Sequence, residues 1–254
     1  MVANLNAKPY PLITRPEPQA SQLASTLKSA GFDSLQQTFF TYQANASLDD
    51  LNQVVERCDN PWLIFVSVAA VKFAEQLLSI TKWPNRGIVA VGTATEKALK
   101  QLGIDDILVP NRHNSEGVLA LEPLQNISGH DVIIVRGDGG RELIAEGLRA
   151  RGASNHYIES YKRDWQHISA EQVAYWREKG INTLIISSNA LLESVVQLTD
   201  NDDNFWQNTC LWLVVSERIA RNAKQLGLKR IVCTNGANDQ AILSALTQLE
   251  TIND

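Results

Sequence analysis

The sequence predicts an α/β protein made of two similar lobes, each built on a parallel sheet. Three observations carry that expectation. Short apolar runs, such as 62–67, 132–135 and 183–186, alternate with stretches of helical periodicity, the pattern of parallel strands covered on both faces. The richest unit, residues 132–152, reads as a buried strand, a turn holding Gly137, Gly139 and Gly140, and a helix on which Leu143, Ile144, Ala145 and Leu148 recur. The second half then repeats the first. Arg15 falls against Arg136, Ala24 against Ala145, Leu27 against Leu148 and Gly31 against Gly152, each at an offset of 121 residues. Segment 63–77 matches 184–198 at the same offset, and KQLGI (100–104) matches KQLGL (224–228) at 124. A near-constant offset over most of a chain points to duplication rather than to the general likeness of α/β units.

Each element has a local reason. Residues 12–14 form a short strand, and Pro16 and Pro18 lead into a helix that stops at Gly31, a residue suited to the C′ position. The run 38–43 is strand-like, and 48–58 is a helix with a polar face. A buried strand at 62–67 feeds a helix at 68–79. The strand at 88–91 ends in Gly92-Thr93-Ala94-Thr95, and the helix at 96–102 ends at Gly103. Residues 107–110 read as a strand and 115–124 as a helix with Ser115 as its N-cap. Beyond the glycine-rich unit come a strand-like run at 156–163, a helix at 170–179 and a strand at 183–186. Helices at 190–198, 217–225 and 238–248 and strands at 211–215 and 230–233 complete the alternation. The runs 38–43 and 157–163 occupy equivalent places, Phe40 opposite Tyr161. They are either internal strands of the lobes or a two-stranded connection.

Composition narrows the function class. With 254 residues, 44% hydrophobic and 20% charged, the chain can bury one large or two ordinary cores. A net charge of −5 argues against general nucleic-acid binding. Cys58, Cys210 and Cys233 are widely spaced and form no CxxC pair, which suits a reduced compartment. The N-terminal residues MVANLNAKPYPL lack an apolar signal core, and no apolar run reaches the ~18 residues of a span. A cytoplasmic protein without membrane attachment is expected.

The chemistry-bearing residues point to an anionic ligand. Arg136 at the end of its strand and Arg141 at the start of its helix lie where open α/β sheets hold ligands, beside free helix N–H groups. Thr14, Ser67, Thr93, Thr95, Ser187, Ser188 and Ser216 all precede or begin helices. Singly they read as caps; together they would line the strand ends with donors for a ligand carrying several carboxylates. The turn 137–140 lacks the third glycine of GxGxxG and the GK[ST] of a P-loop, which disfavours a nucleotide enzyme. His113, His130, His156 and His167 show no metal-pair spacing, and no nucleophile triad stands out. Tyr161 in ESYKRDW is either a half-buried strand residue or a polar handle facing a ligand.

These segments resemble a known family. LITRPEPQA, AVGTAT, SEGVLAL, VRGDGGRELIAEGLRARGA, ESYKR, LIISSNAL and VVSERIARNAKQLG, in this order and over almost the whole chain, are similar to uroporphyrinogen-III synthases. RGDGGREL and VSERIA are the most specific. One departure is Ser67-Val68-Ala69-Ala70, where the family often shows Thr-Ser with an Asn nearby; the second half keeps that form as Ser187-Ser188-Asn189. The resemblance implies two α/β lobes joined by a two-stranded linker, with a cleft between them: residues 1–36 plus 165–254, residues 45–156, and linkers 37–44 and 157–164. It implies that hydroxymethylbilane is cyclised with inversion of its terminal pyrrole and loss of water, in tetrapyrrole (heme) biosynthesis, with no cofactor and no metal. Tyr161 matches the family's candidate proton donor to the leaving hydroxyl. The expected substrate-binding set is Thr14, Arg15, Ser67, Thr93, Thr95, Ser115, Arg136, Gly137, Ser187, Ser188, Asn189, Ser216, Glu217 and Arg218. The small-molecule substrate is the expected partner, with hand-over from the preceding pathway enzyme an open option. Neither nucleic acid nor membrane is expected as a partner, and a monomer is expected. The rival reading is a non-enzymatic bilobed binding module for a small anionic metabolite, which would not need Tyr161.

Overall fold

Two parallel sheets account for the alternation read in the sequence. The computed structural model describes residues 8–139, 142–199, 204–234 and 236–253. The chain divides into two units, Met1–Thr41 with Trp165–Asp254, and Tyr42–Asp164, so it passes between them twice.

The first unit carries β1 (Pro11–Ile13), β2 (Leu35–Gln36), β9 (Thr183–Ile186), β10 (Leu211–Val214) and β11 (Arg230–Cys233), in the order β11-β10-β9-β1-β2. All its pairings are parallel, with Leu12 opposite both Leu35 and Leu184. Around it lie α1 (Gln19–Ser29), α7 (Ala170–Glu178), α8 (Asn189–Thr199), α9 (Phe205–Asn208), α10 (Glu217–Gln225) and α11 (Asp239–Asn253). The second sheet has the order β3-β8-β7-β4-β5-β6. Its strands are β3 (Phe40–Ala44), β4 (Trp62–Phe65), β5 (Gly87–Ala90), β6 (Ile107–Leu108), β7 (Asp131–Gly137) and β8 (Ser154–Trp165). Its helices are α2 (Leu48–Val55), α3 (Val68–Leu77), α4 (Thr93–Lys100), α5 (Ser115–Leu119) and α6 (Leu143–Ala150). Among the described residues, no helix is long and apolar enough to cross a membrane.

The two sheets share one topology. Pairing the repeats matches β1 with β7, β9 with β4, β10 with β5, β11 with β6 and β2 with β8. Read outward, β2-β1-β9-β10-β11 then corresponds strand for strand to β8-β7-β4-β5-β6, and β3 is the extra edge strand. Side chains alternate across β7 as the period of a strand requires. Ile133 and Val135 face the core formed with α2, α3 and α4, while Val132 and Ile134 face the core under α5 and α6.

The expected elements form, with local differences. The helix expected over 115–124 breaks into α5 and a 3₁₀ turn at Glu122–Leu124 around Pro123. The strand-like run at 156–163 extends to Ser154–Trp165 and hydrogen-bonds in register to β7. β3 runs antiparallel to β8: Asn45 N–H donates to the Ser160 carbonyl and Gln166 N–H to that of Phe39. Strand β2 and helix α9 are too short to show a period, so the sequence did not announce them.

Candidate functional site

The carboxyl edge of the second sheet joins a serine, a glycine and a tyrosine. Beyond β4 the backbone at Ser67 is extended, and its Oγ caps α3 by accepting the Ala70 N–H at 3.0 Å. The same oxygen lies 3.2 Å from Tyr161 Oη. Tyr161 reaches it through a β-bulge. Arg136 stands opposite Glu159, but Gly137 stands opposite Tyr161, so Ser160 is the extra residue. The Ser160 hydroxyl donates to the carbonyls of Ala70 and Arg136, at 3.3 Å each, which fixes the bulge on the α3 side. The Asp138 N–H then closes the turn onto the Tyr161 carbonyl at 2.7 Å.

The phenol ring is held on three sides. It stacks against Phe73 at 5.9 Å between centroids and meets Tyr42 edge-on at 5.1 Å. A Cβ at Gly137 would stand 2.6 Å from the ring, so only glycine leaves space for it there. The tyrosine is 6% exposed. Burial raises the Tyr42 hydroxyl above its ordinary pKa; the neighbouring Tyr161 adds to this and Arg163 opposes it. The result is a phenol with few conformations open to it, aimed at a hydroxyl on a helix N-terminus.

Arg136 does not present a free charge. Its Nη1 bonds Glu142 at 2.7 Å, its Nε and Nη2 bond Glu159 at 3.2 and 3.0 Å, and its guanidinium lies 3.9 Å over the Tyr157 ring. Burial alone would lower its pKa, but both carboxylates carry it above the ordinary value. Glu142 in turn accepts a hydrogen bond from Tyr157. The arginine therefore ties the strand end to the helix beyond the turn. Gly140 and Arg141, the other charge expected at this edge, lie outside the described residues.

The remaining candidates separate by burial. Thr93 is exposed in the first turn of α4, whereas Thr95, two residues on, is buried. Ser115 is not the cap of α5: Asn114 takes that place and accepts the Gly117 N–H at 2.8 Å. In the first unit, Ser188 accepts the Leu191 N–H at 3.2 Å and Ser216 caps α10 through the Ile219 N–H at 3.4 Å. Glu217 and Arg218 are exposed just beyond that cap, and Ser187 is half-buried. Asn189 carries a buried amide oxygen with no hydrogen-bond partner among the described residues, the kind of acceptor that costs ~1–3 kcal/mol if left unmade. Thr14 and Arg15 are both buried and bonded within the first unit. Thr14 is fully buried and donates to the Ile185 carbonyl. Arg15 is 6% exposed, paired with Asp239 at 2.9 Å and bonded to the Ala237 carbonyl. Its burial lowers its pKa, and Asp239 opposes that shift.

Sequence reasoning missed Ser160, Tyr42 and Phe73, which aim and hold Tyr161. A bulge leaves no mark in residue types, and the alternation Ser154, His156, Ile158, Ser160 along β8 gives no hint of it.

Comparison with known proteins points to one family. Residues 21–244 match the family described as Uroporphyrinogen-III synthase HemD. The chain is 36% identical to uroporphyrinogen-III synthase of Salmonella typhimurium and 34% identical to that of Escherichia coli, each over 92% of this chain and 98% of the relative. Its fold is like that of a mutant uroporphyrinogen III synthase of Thermus thermophilus, with a TM-score of 0.64 at 13% identity over 96% of this chain and 99% of that one. It is also like the Helicobacter pylori uroporphyrinogen-III synthetase, with a TM-score of 0.58 at 13% identity over 95% and 99%. Motifs, fold and relatives agree, and the chain belongs to the uroporphyrinogen-III synthase family.

Proposed function

We propose that this protein cyclises hydroxymethylbilane to uroporphyrinogen III, as the names of its relatives indicate for them. The hydroxymethyl carbon loses its hydroxyl to give an azafulvene. The substituted carbon of the terminal pyrrole attacks it, and the resulting spiro intermediate fragments and recloses with that ring inverted. Tyr161 is the proton donor: its phenolic proton goes to the departing hydroxyl, which leaves as water. The proton released as the closing pyrrole regains aromaticity restores the phenol.

The observation that carries this reading is the Ser67–Tyr161 pair, seated on Gly137 in a chain of this family. The capping serine holds the phenol oxygen beside the α3 N-terminus, where N–H dipoles stabilise negative charge. Spontaneous closure gives the unflipped ring, so the rest of the protein must fold the substrate. Exposed Thr93, half-buried Ser187, Ser188 and Asn189, the backbone N–H of Glu217 in the first turn of α10, and exposed Arg218 are what we assign to its acetate and propionate arms. We place the reaction in the cytoplasm and assign it to the monomer. Freshly made hydroxymethylbilane should give the type III porphyrin after oxidation. Type I alone, at the spontaneous rate, would favour the binding-module reading instead.

A further inference from the structure

The opposite, amino-terminal edge of the second sheet gathers three side chains that no step above uses. Asp131 opens β7, His156 is the third residue of β8, and Cys58 follows α2. Strand alternation brings them together. Asp131 points to the same side of β7 as Ile133, which is paired with His156, and Ile133 belongs to the core against which Cys58 packs. The Sγ, carboxylate oxygen and imidazole nitrogen all lie within 4.8 Å of one another. We propose that Cys58, Asp131 and His156 bind a zinc ion, with water as the fourth ligand.

The donor set fits that ion. Thiolate, imidazole and carboxylate are all zinc ligands, and tetrahedral bonds of ~2.0–2.3 Å place ligand atoms about 3.3–3.8 Å apart. His156 Nε2 and Asp131 Oδ1 already stand at 3.4 Å. Drawing Sγ to the same spacing asks for a shift of about 1 Å from the 4.8 Å limit. The second carboxylate oxygen of Asp131 accepts the Asp59 N–H at 2.8 Å, the outer contact that orients a ligating carboxylate. The Cys58 thiol now donates to the Val54 carbonyl at 3.1 Å; on binding, its proton leaves to solvent as the Zn–S bond forms. All three residues are half-buried, which leaves room for water as the fourth ligand. The ion would fasten the 56–61 connection to the sheet. Six residues of strand separate Asp131 from Gly137, about 20 Å at ~3.3 Å each, so the site acts on stability and takes no part in the reaction.

The test uses the full chain, freed of metal by a chelator and titrated with cobalt(II) as an optical probe. The expected result is one equivalent bound, with a thiolate-to-cobalt charge-transfer band that zinc abolishes. Zinc at a hundredfold excess over its Kd should raise the melting temperature by about 5 °C or more. Cys58→Ser should lose the band, His156→Gln should bind at least tenfold more weakly, and Cys233→Ser should behave as wild type. Wild-type protein without a charge-transfer band would overturn the proposal, whatever the variants do. A band that survives in Cys58→Ser or an unchanged affinity in His156→Gln would overturn it equally.

Discussion

The two units carry the same strand–serine–helix device, yet the hydroxyl partner of the serine differs between them. In one, Ser67 caps α3 and lies 3.2 Å from Tyr161 Oη. In the other, Ser188 caps α8, and the residue that corresponds to Tyr161 is Phe40, which has no hydroxyl. The strand-end arginines differ in the same spirit. Arg15 is sunk against Asp239 and a carbonyl, whereas Arg136 bridges two more exposed carboxylates across a turn. A duplicated scaffold has thus kept its capping and its strand-end pairing, while the phenol that we propose as the acid stands in one copy. Capping and pairing satisfy backbone and charge wherever a strand meets a helix. A proton donor is needed at a single place.

The comparison is broken most severely at Tyr161. Tyr161→Phe makes its site resemble the Phe40 position, and kcat should fall by ~10²–10⁴ with the fold intact. Gly137→Ala comes next, since its methyl would collide with the ring at 2.6 Å. It should cost ~1–3 kcal/mol of stability and at least tenfold in rate, measured by denaturant unfolding and single-turnover kinetics. The arginines follow. Arg15→Ala should destabilise by ~1–3 kcal/mol, because it removes a buried guanidinium and leaves half-buried Asp239 without its partner, and Arg136→Ala by about 1 kcal/mol or less. The reverse order in urea melts would contradict the burial argument. Ser67→Ala and Ser188→Ala should each cost ~1 kcal/mol as lost caps, but only the first should slow turnover, by several-fold. Equal kinetic effects would erase the distinction between the units.

The smallest effect is alkaline. Burial first, then the hydrogen bond to Glu142 and its charge, push the Tyr157 hydroxyl up to about 12. Its unfolded value is ~10, so the stabilisation is fully present below pH ~10 and is lost as pH rises from there towards ~12, the unfolded chain ionising first. Tyr157→Phe should flatten that part of the stability profile, and a tyrosinate absorbance titration should lose its most alkaline step.

Much of the fold was legible because it follows from local chemistry. β-branched runs, helix-stopping glycines and cap serines marked the βα units, and the 121-residue offset anticipated two like sheets. The site was legible only where residue type and backbone position coincide, as at Ser67, Ser188 and Ser216. Which of two adjacent cap-type residues closes a helix depends on the incoming chain, so Asn114 displaced Ser115. The partners of Arg15 and Arg136 come from distant elements, and Asp239 lies 224 residues from Arg15. Nothing local foretold that these arginines are neutralised. The bulge at Ser160, which aims Tyr161, belongs to strand register and leaves no compositional trace.

The most direct measurement is the isomer composition formed from fresh hydroxymethylbilane by wild-type and Tyr161→Phe protein, at enzyme in excess of substrate. Wild type should give type III almost alone. The variant should turn over so slowly that substrate escapes and closes spontaneously, so type I should dominate while the variant's melting profile matches wild type. A Tyr161→Phe protein with the wild-type rate and the wild-type isomer ratio would contradict the account and leave Tyr161 a packing residue like Phe40.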